Sequence, residues 1–240
     1  KAFDLLRSNS ALKAEKKAGR VAADGVIKAY ACDTYASLVE INTETDFAAK
    51  DSSFIDFTND VEETISNQQF DSIDSLMETG LEEKRKTLVQ SIGENIQVRK
   101  IETLSFNSAN VGLYVHSDSK LAAMAVLEGG DETLAKDIAM HISATNPLCL
   151  TSEDVDKEVY ERERAIYVSQ AEESGKPQEI MDKIIDGKMK RFLSEISLVS
   201  QSFIKDPDKT IDQLLNENNA KIVSFIRLKV GEGIEVESKN

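Results

Sequence analysis

A seven-residue stretch that a later one resembles does most to constrain this chain. Ile92-Gly93-Glu94-Asn95-Ile96-Gln97-Val98 comes back near the other end as Val230-Gly231-Glu232-Gly233-Ile234-Glu235-Val236. The residues leading to each copy run in parallel. Val26 to Tyr30 and Tyr35 to Ile41 read as two strands joined by a turn at Asp33. Ser52 or Ser53 offers an N-cap, and Phe54, Phe57, Val61 and Ile65 follow at helical spacing. A second helix runs from about Leu81 to Ile92, with Leu81, Leu88 and Ile92 on one side, and stops at Gly93. Ile96 to Leu104 alternates as a returning strand. Val111 to Val115 and Lys120 to Leu127 then form a second strand pair. Gly129-Gly130-Asp131 is a turn and cap, Leu134, Ile138 and Ile142 mark a helix, and Ile222 to Val230 is the closing strand. The pattern predicts an α+β protein of two related subdomains with antiparallel sheets, produced by internal duplication. Chance similarity between short motifs is the alternative. The expected divisions are residues 1–24 as a helical tail and connector, 25–106 as the first subdomain and 107–240 as the second.

The second half carries an insertion. Residues 152–197 are helical in pattern and rich in both signs of charge. Asp154-Val155, Val159, Ile166 and Val168 sit on a first segment, and Ile180, Ile184, Phe192, Leu193 and Ile196 on a second. Ser174-Gly175-Lys176-Pro177 breaks the run. Two helices of similar length about one break predict an antiparallel hairpin, a coiled-coil arm over 154–196. The competing reading folds both helices back as ordinary core.

Composition excludes several function classes. The chain has 43 acidic and 29 basic residues among 240, a net charge of -14, which argues against nucleic acid as the main partner. Cys32 and Cys149 belong to no metal spacing and read as reduced structural thiols of a reducing compartment. No apolar run reaches the ~18 residues of a membrane span. No signal peptide is visible in a chain that begins at Lys1. The two histidines leave little room for a nucleophile and base: His141 reads as a hydrogen-bonded core-edge residue, and His116 as a contact residue in a turn. There is no GxxxxGK[ST] loop, and Gly231-Glu232-Gly233 lacks the third glycine of a dinucleotide loop. Glu62-Glu63 and Glu82-Glu83 are adjacent helical positions that point apart, hence solvated faces. The reading is a chain that is not an enzyme and has no cofactor or metal.

One connector stands out. Glu44-Thr45-Asp46-Phe47-Ala48-Ala49-Lys50 follows a strand and precedes a helix, placing a carboxylate beside a large aromatic. Such an aromatic can anchor in a partner's pocket, or it can plug the core and fix the next helix.

Several ordered segments are similar to the elongation factor Ts family. Ala14 to Val26 looks like that family's AxKKAGRxAAEG opening. Val39 to Lys50 resembles its E-N-x-x-T-D-F-V-A-x-N signature. Ile92 to Asn95 resembles its I-G-E-N segment, and His141-Ile142-Ser143-Ala144 with Pro147 its H-I-A-A…P stretch. Ser174 to Ile180 and Val230 to Glu235 follow in order, so the resemblance covers nearly the whole chain. It implies a guanine-nucleotide exchange factor that binds elongation factor Tu with GDP and promotes GDP release by disturbing the Mg²⁺/phosphate site. It further implies that Asp46 and Phe47 approach the partner's G domain, that Ile92 and Gly93 share that surface, and that His116 and Ile204 engage a further domain. Of the family's N-terminal three-helix module only a tail near Lys1 to Ser10 is expected, and the chain stops soon after the Gly-Glu-Gly-Ile segment, where many members add a helix. A homodimer or 2:2 complex, and a bacterial cytoplasmic location or an organelle matrix after presequence removal, are compatible with it. A scaffold that self-associates through the arm is the alternative function.

Overall fold

Strand β2 (Tyr35–Thr43) is buried along its whole length and organises the larger of two units. It lies between β1 (Asp24–Ala31) and β3 (Gln97–Ser105), antiparallel to both, with a register shift at Glu40/Ile41. The computed structural model describes residues 12, 14–173, 175 and 177–235. The tail expected near Lys1 to Ser10, Ser174 and Lys176 of the arm's break, and Val236 of the second motif copy lie outside the described residues. The chain divides into a unit built from residues up to Ser143 with those from Ile222 onward, and a second unit over Ala144–Lys221.

Alternation along β2 gives it two apolar faces. Val39 and Ile41 face a core completed by Phe54, Phe57, Val61 and Ile65 of α2 (Ser52–Asn67) and by Leu88 and Val89 of α4 (Glu82–Ile92). A short helix α3 (Ile73–Leu76) and a π-helical turn over Met77–Leu81 lead into α4, with Gly80 at φ 104° marking the kink. Ala36 and Leu38 face the other way. They pack with Ala122, Met124 and Leu228 of a second sheet, ordered β4 (Asn110–Val115), β5 (Leu121–Glu128), β8 (Lys221–Lys229). Helix α5 (Glu132–Thr145) buries Leu134, Ala135, Ile138 and Ile142. The backbone of β4 approaches α5 so closely that a Cβ built on Gly112 would stand 1.9 Å from the Ala135 carbonyl oxygen.

Between the two sheets sits a charge. Glu40 is fully buried, and its carboxylate accepts from both sides: Arg99 Nη1 at 2.9 and 3.0 Å, Asn42 Nδ2 at 2.9 Å and the Gly231 amide at 2.8 Å. Arg99 also donates to the Glu232 carbonyl at 2.7 Å. The second copy of the repeated motif is thereby tied to the middle strand of the first sheet.

In the second unit, α6 (Lys157–Glu172) and α7 (Gln178–Ile196) pack against each other as an antiparallel pair. Their seam is built from Tyr160, Tyr167, Val168 and Ala171 against Met181, Ile185, Met189 and Phe192. Ile166 and Ile180, expected on the apolar stripe, are exposed instead. Asp154 and Val155 precede the first helix, whose N-cap is Asp156. Strands β6 (Ser202–Phe203) and β7 (Asp206–Thr210) form a small antiparallel pair followed by α8 (Ile211–Glu217). These three elements, like the segment 73–81, are absent from the sequence reading. In the first unit the cap of α2 is Asp51, whose carboxylate accepts from the Ser53 amide at 2.8 Å, rather than Ser52 or Ser53. A carboxylate accepts two donors at once here, the Ser53 hydroxyl being the second. Both cysteines are free thiols.

Candidate functional site

Beyond Thr43 the chain leaves the sheet and forms one helical turn, α1 (Asp46–Ala49). Thr45 caps it, its hydroxyl accepting from the Ala48 amide at 3.2 Å. Ala48 is buried and anchors the turn, which carries the adjacent Phe47 outward: Phe47 is 81% exposed. An aromatic in that state is no core plug, so of the two readings of Phe47 only the outward one fits. Asp46 accepts from Lys50 Nζ at 2.8 Å, one turn on. That hydrogen bond holds the Asp46 carboxyl below its usual pKa and the Lys50 ammonium above its own, with Lys120 adding to the pull on Asp46.

Ile92 closes α4, half-buried against the same core. Gly93 follows at φ 87°, a left-handed C-cap whose amide returns to the Val89 carbonyl at 3.0 Å; glycine adopts this conformation without the Cβ penalty. The turn it makes aims Glu94 at the loop before α1. The Glu94 carboxylate accepts from the Thr43 hydroxyl at 3.0 Å, the Glu44 amide at 3.1 Å, the Thr45 amide at 3.0 Å and the Thr45 hydroxyl at 2.7 Å. Glu44 answers by accepting from the Asn95 amide at 2.6 Å. Asn95 Nδ2 donates to the carbonyls of Ala18 and Arg20, and Lys17 Nζ donates to the Gly93 carbonyl. Three separate stretches of chain thus meet at the Gly93 turn.

The six expected site residues fall out as follows. Asp46 and Phe47 are joined to Ile92 and Gly93 through the Glu94 carboxylate. His116 is exposed in the β4–β5 turn, 3.0 Å from the Tyr114 hydroxyl through Nδ1. That turn reaches the start of β1: Ser119 accepts from the Ile27 amide and Lys120 pairs with Asp24 at 2.8 Å. Ile204 belongs to the other unit, between β6 and β7, and is 39% exposed. Sequence reasoning passed over Glu94, Asn95 and Lys120. Two signals pointed to the first two: their place in the repeated motif and in the segment that resembles I-G-E-N. Among the described residues no group of three His, Cys, Asp or Glu side chains could hold a metal ion, and no helix is long and apolar enough to cross a membrane.

A family model for "Elongation factor TS" matches residues 44–232, from the loop before α1 to the turn after β8. The chain is 50% identical over 239 residues to "Elongation factor Ts" of Hahella chejuensis, covering 99% of this chain and 83% of that protein. This chain belongs to the elongation factor Ts family. Elongation factor Ts of Francisella tularensis subsp. novicida is 44% identical over 246 residues, covering 100% of this chain and 84% of that protein. Elongation factor Ts of Thioalkalivibrio sulfidiphilus is 44% identical over 247 residues, with the same coverage. Membership in the elongation factor Ts family makes the chain an exchange factor of translation elongation and not a catalytic enzyme.

Proposed function

We propose that this chain binds elongation factor Tu in its GDP state and promotes GDP release by disturbing the Mg²⁺/phosphate site. The observation that supports this most is Phe47, a large aromatic held out in solvent on a turn whose backbone is tied down by Glu94. A side chain so placed costs little to order on binding, which favours its use as an anchor. The energetics are those of linkage. A protein that binds the nucleotide-free partner better than the GDP-bound partner lowers GDP affinity by the same factor. In this reading Phe47 wedges into the G domain with Asp46 beside it, Ile92 and Gly93 complete that contact, and His116 and Ile204 engage a further domain.

The proposal extends to organisation. We read 25–106 and 107–240 as duplicated α+β halves, with 154–196 as an inserted coiled-coil arm. The relatives named above are bacterial, and the bacterial cytoplasm is the proposed location. Exposed Ile166 and Ile180 on the arm favour a second reading, self-association into a homodimer or a 2:2 complex. GDP release from elongation factor Tu, followed with a fluorescent GDP in stopped flow, tests the main proposal: a rate independent of added chain would overturn it. Sedimentation velocity of the chain alone tests the second, which a monomer at all concentrations would exclude.

A further inference from the structure

We infer that Glu94 is a positioning residue for exchange, setting the orientation of Phe47 through the backbone of residues 43–45 without touching the partner itself. The inference rests on the reading of Phe47 as the partner contact. Thr43 is the last residue of β2, so the amides of Glu44 and Thr45 have left the ladder and need another acceptor. Helix α1 is only four residues long, and a single turn has no stability of its own. Its direction is set by the buried Ala48 and by whatever holds the preceding loop. Glu94 makes most of that hold: Oε2 takes both amides and the Thr43 hydroxyl, and Oε1 takes the Thr45 hydroxyl, while Glu44 adds one bond from the Asn95 amide. Hydrogen bonds to an ionised acceptor are shorter and stronger than neutral ones. Thr45 is also the N-cap of α1, so the Glu94 carboxylate and the first turn of the helix share a residue. The same Glu94 follows Gly93 directly. The Glu94 carboxylate therefore ties the loop that carries Phe47 to the Ile92-Gly93 turn, alongside the bond from the Asn95 amide to Glu44.

The chemistry separates positioning from direct contact. A carboxamide at position 94 keeps an oxygen for the three donors now on Oε2, and its NH₂ can donate to the Thr45 hydroxyl. Glu94→Gln thus preserves most of the clamp while removing the charge. Glu94→Ala removes the clamp altogether. The experiment measures GDP release from elongation factor Tu with wild type, E94A, E94Q, F47A and the F47A/E94A double variant, with amide hydrogen exchange of residues 44–48 in each free protein. E94A is expected to slow exchange about tenfold, within the range a misplacement of about 1 Å produces, and to deprotect the 44–45 amides. E94Q is expected to recover most of the rate and the protection. In the F47A background E94A is expected to add nothing, since the effect passes through Phe47. If E94A proves unfolded by circular dichroism, Thr45→Ala, which removes one clamp bond and the cap, replaces it in the same cycle. E94Q as slow as E94A would show that the charge itself meets the partner and would overturn the inference. So would an E94A defect undiminished by F47A, or E94A at the wild-type rate while F47A is slow. F47A at the wild-type rate would instead overturn the reading of Phe47.

Discussion

Replacing Phe47 by Ala separates folding from function by magnitudes that can be worked from its exposure. A Phe side chain offers on the order of 200 Å². With 81% of the residue in solvent, folding removes roughly a fifth, about 40 Å². At ~25 cal/mol per Å² the stability at stake is about 1 kcal/mol at most. The remaining ~160 Å² is available to a partner and has a gross ceiling of about 4 kcal/mol on the same scale. Ordering and desolvation costs reduce that figure, and a central aromatic anchor typically retains at least ~2 kcal/mol. The expected result is a variant with a urea midpoint close to wild type that is roughly 30-fold weaker in stimulating GDP release at sub-saturating concentration. Urea unfolding by circular dichroism and stopped-flow release of a fluorescent GDP measure the two sides on one preparation. A loss of stability well above 1 kcal/mol would refute the exposure argument, and exchange within twofold of wild type would refute the wedge.

Three further outcomes are expected. Gly112→Ala drives a Cβ to 1.9 Å from the Ala135 oxygen and 2.0 Å from its carbon, both backbone atoms of α5; overpacking of that kind costs about 1–3 kcal/mol or more, read as a lowered urea midpoint, and an unchanged midpoint would mean β4 and α5 separate freely. Among the described residues, Arg99→Ala leaves the fully buried Glu40 with the Asn42 and Gly231 donors; removing one partner of a buried pair costs about 3–5 kcal/mol, and the one-fifth exposure of Arg99 puts the expectation at the lower end, to be checked by chemical denaturation. Replacing residues 157–194 by a Gly/Ser linker keeps Ile196, whose carbonyl accepts from the Leu148 amide at 2.9 Å. Because the α6–α7 seam is internal and closure entropy grows slowly with length, the remainder should fold with only a modest loss of exchange and no arm-mediated self-association; collapse of the far-UV signal beyond the deleted helices would show the arm to be core.

Much of the fold is carried by local pattern. The apolar spacing of Phe54, Phe57, Val61 and Ile65 and the alternation through Leu38, Val39 and Ile41 each determine an element and its buried face, since helix and strand periods are properties of a few consecutive residues. Gly93 ends α4 for the same local reason. Elements too short to show a period escaped: the π-helical turn over Met77–Leu81, and the β6–β7 pair with α8. For α8 a local signal existed, the capping box of Thr210 with Gln213. The arm's two helices and their break are legible in sequence, but its seam is not. Tyr160, Tyr167, Met181 and Met189 pack inside while Ile166 and Ile180 face out, because contact in a hairpin depends on how two separated helices rotate together. The candidate site divides the same way. By itself the sequence placed Asp46 and Phe47 in a connector and Gly93 at a helix end. Only tertiary structure decided that Phe47 faces solvent and that Glu94 closes on Thr43, Glu44 and Thr45 some fifty residues away. The same holds for Glu40, which finds Arg99 and Gly231 between two sheets. A buried carboxylate is tolerated only where distant donors converge on it, and no local pattern records where the fold will bring them.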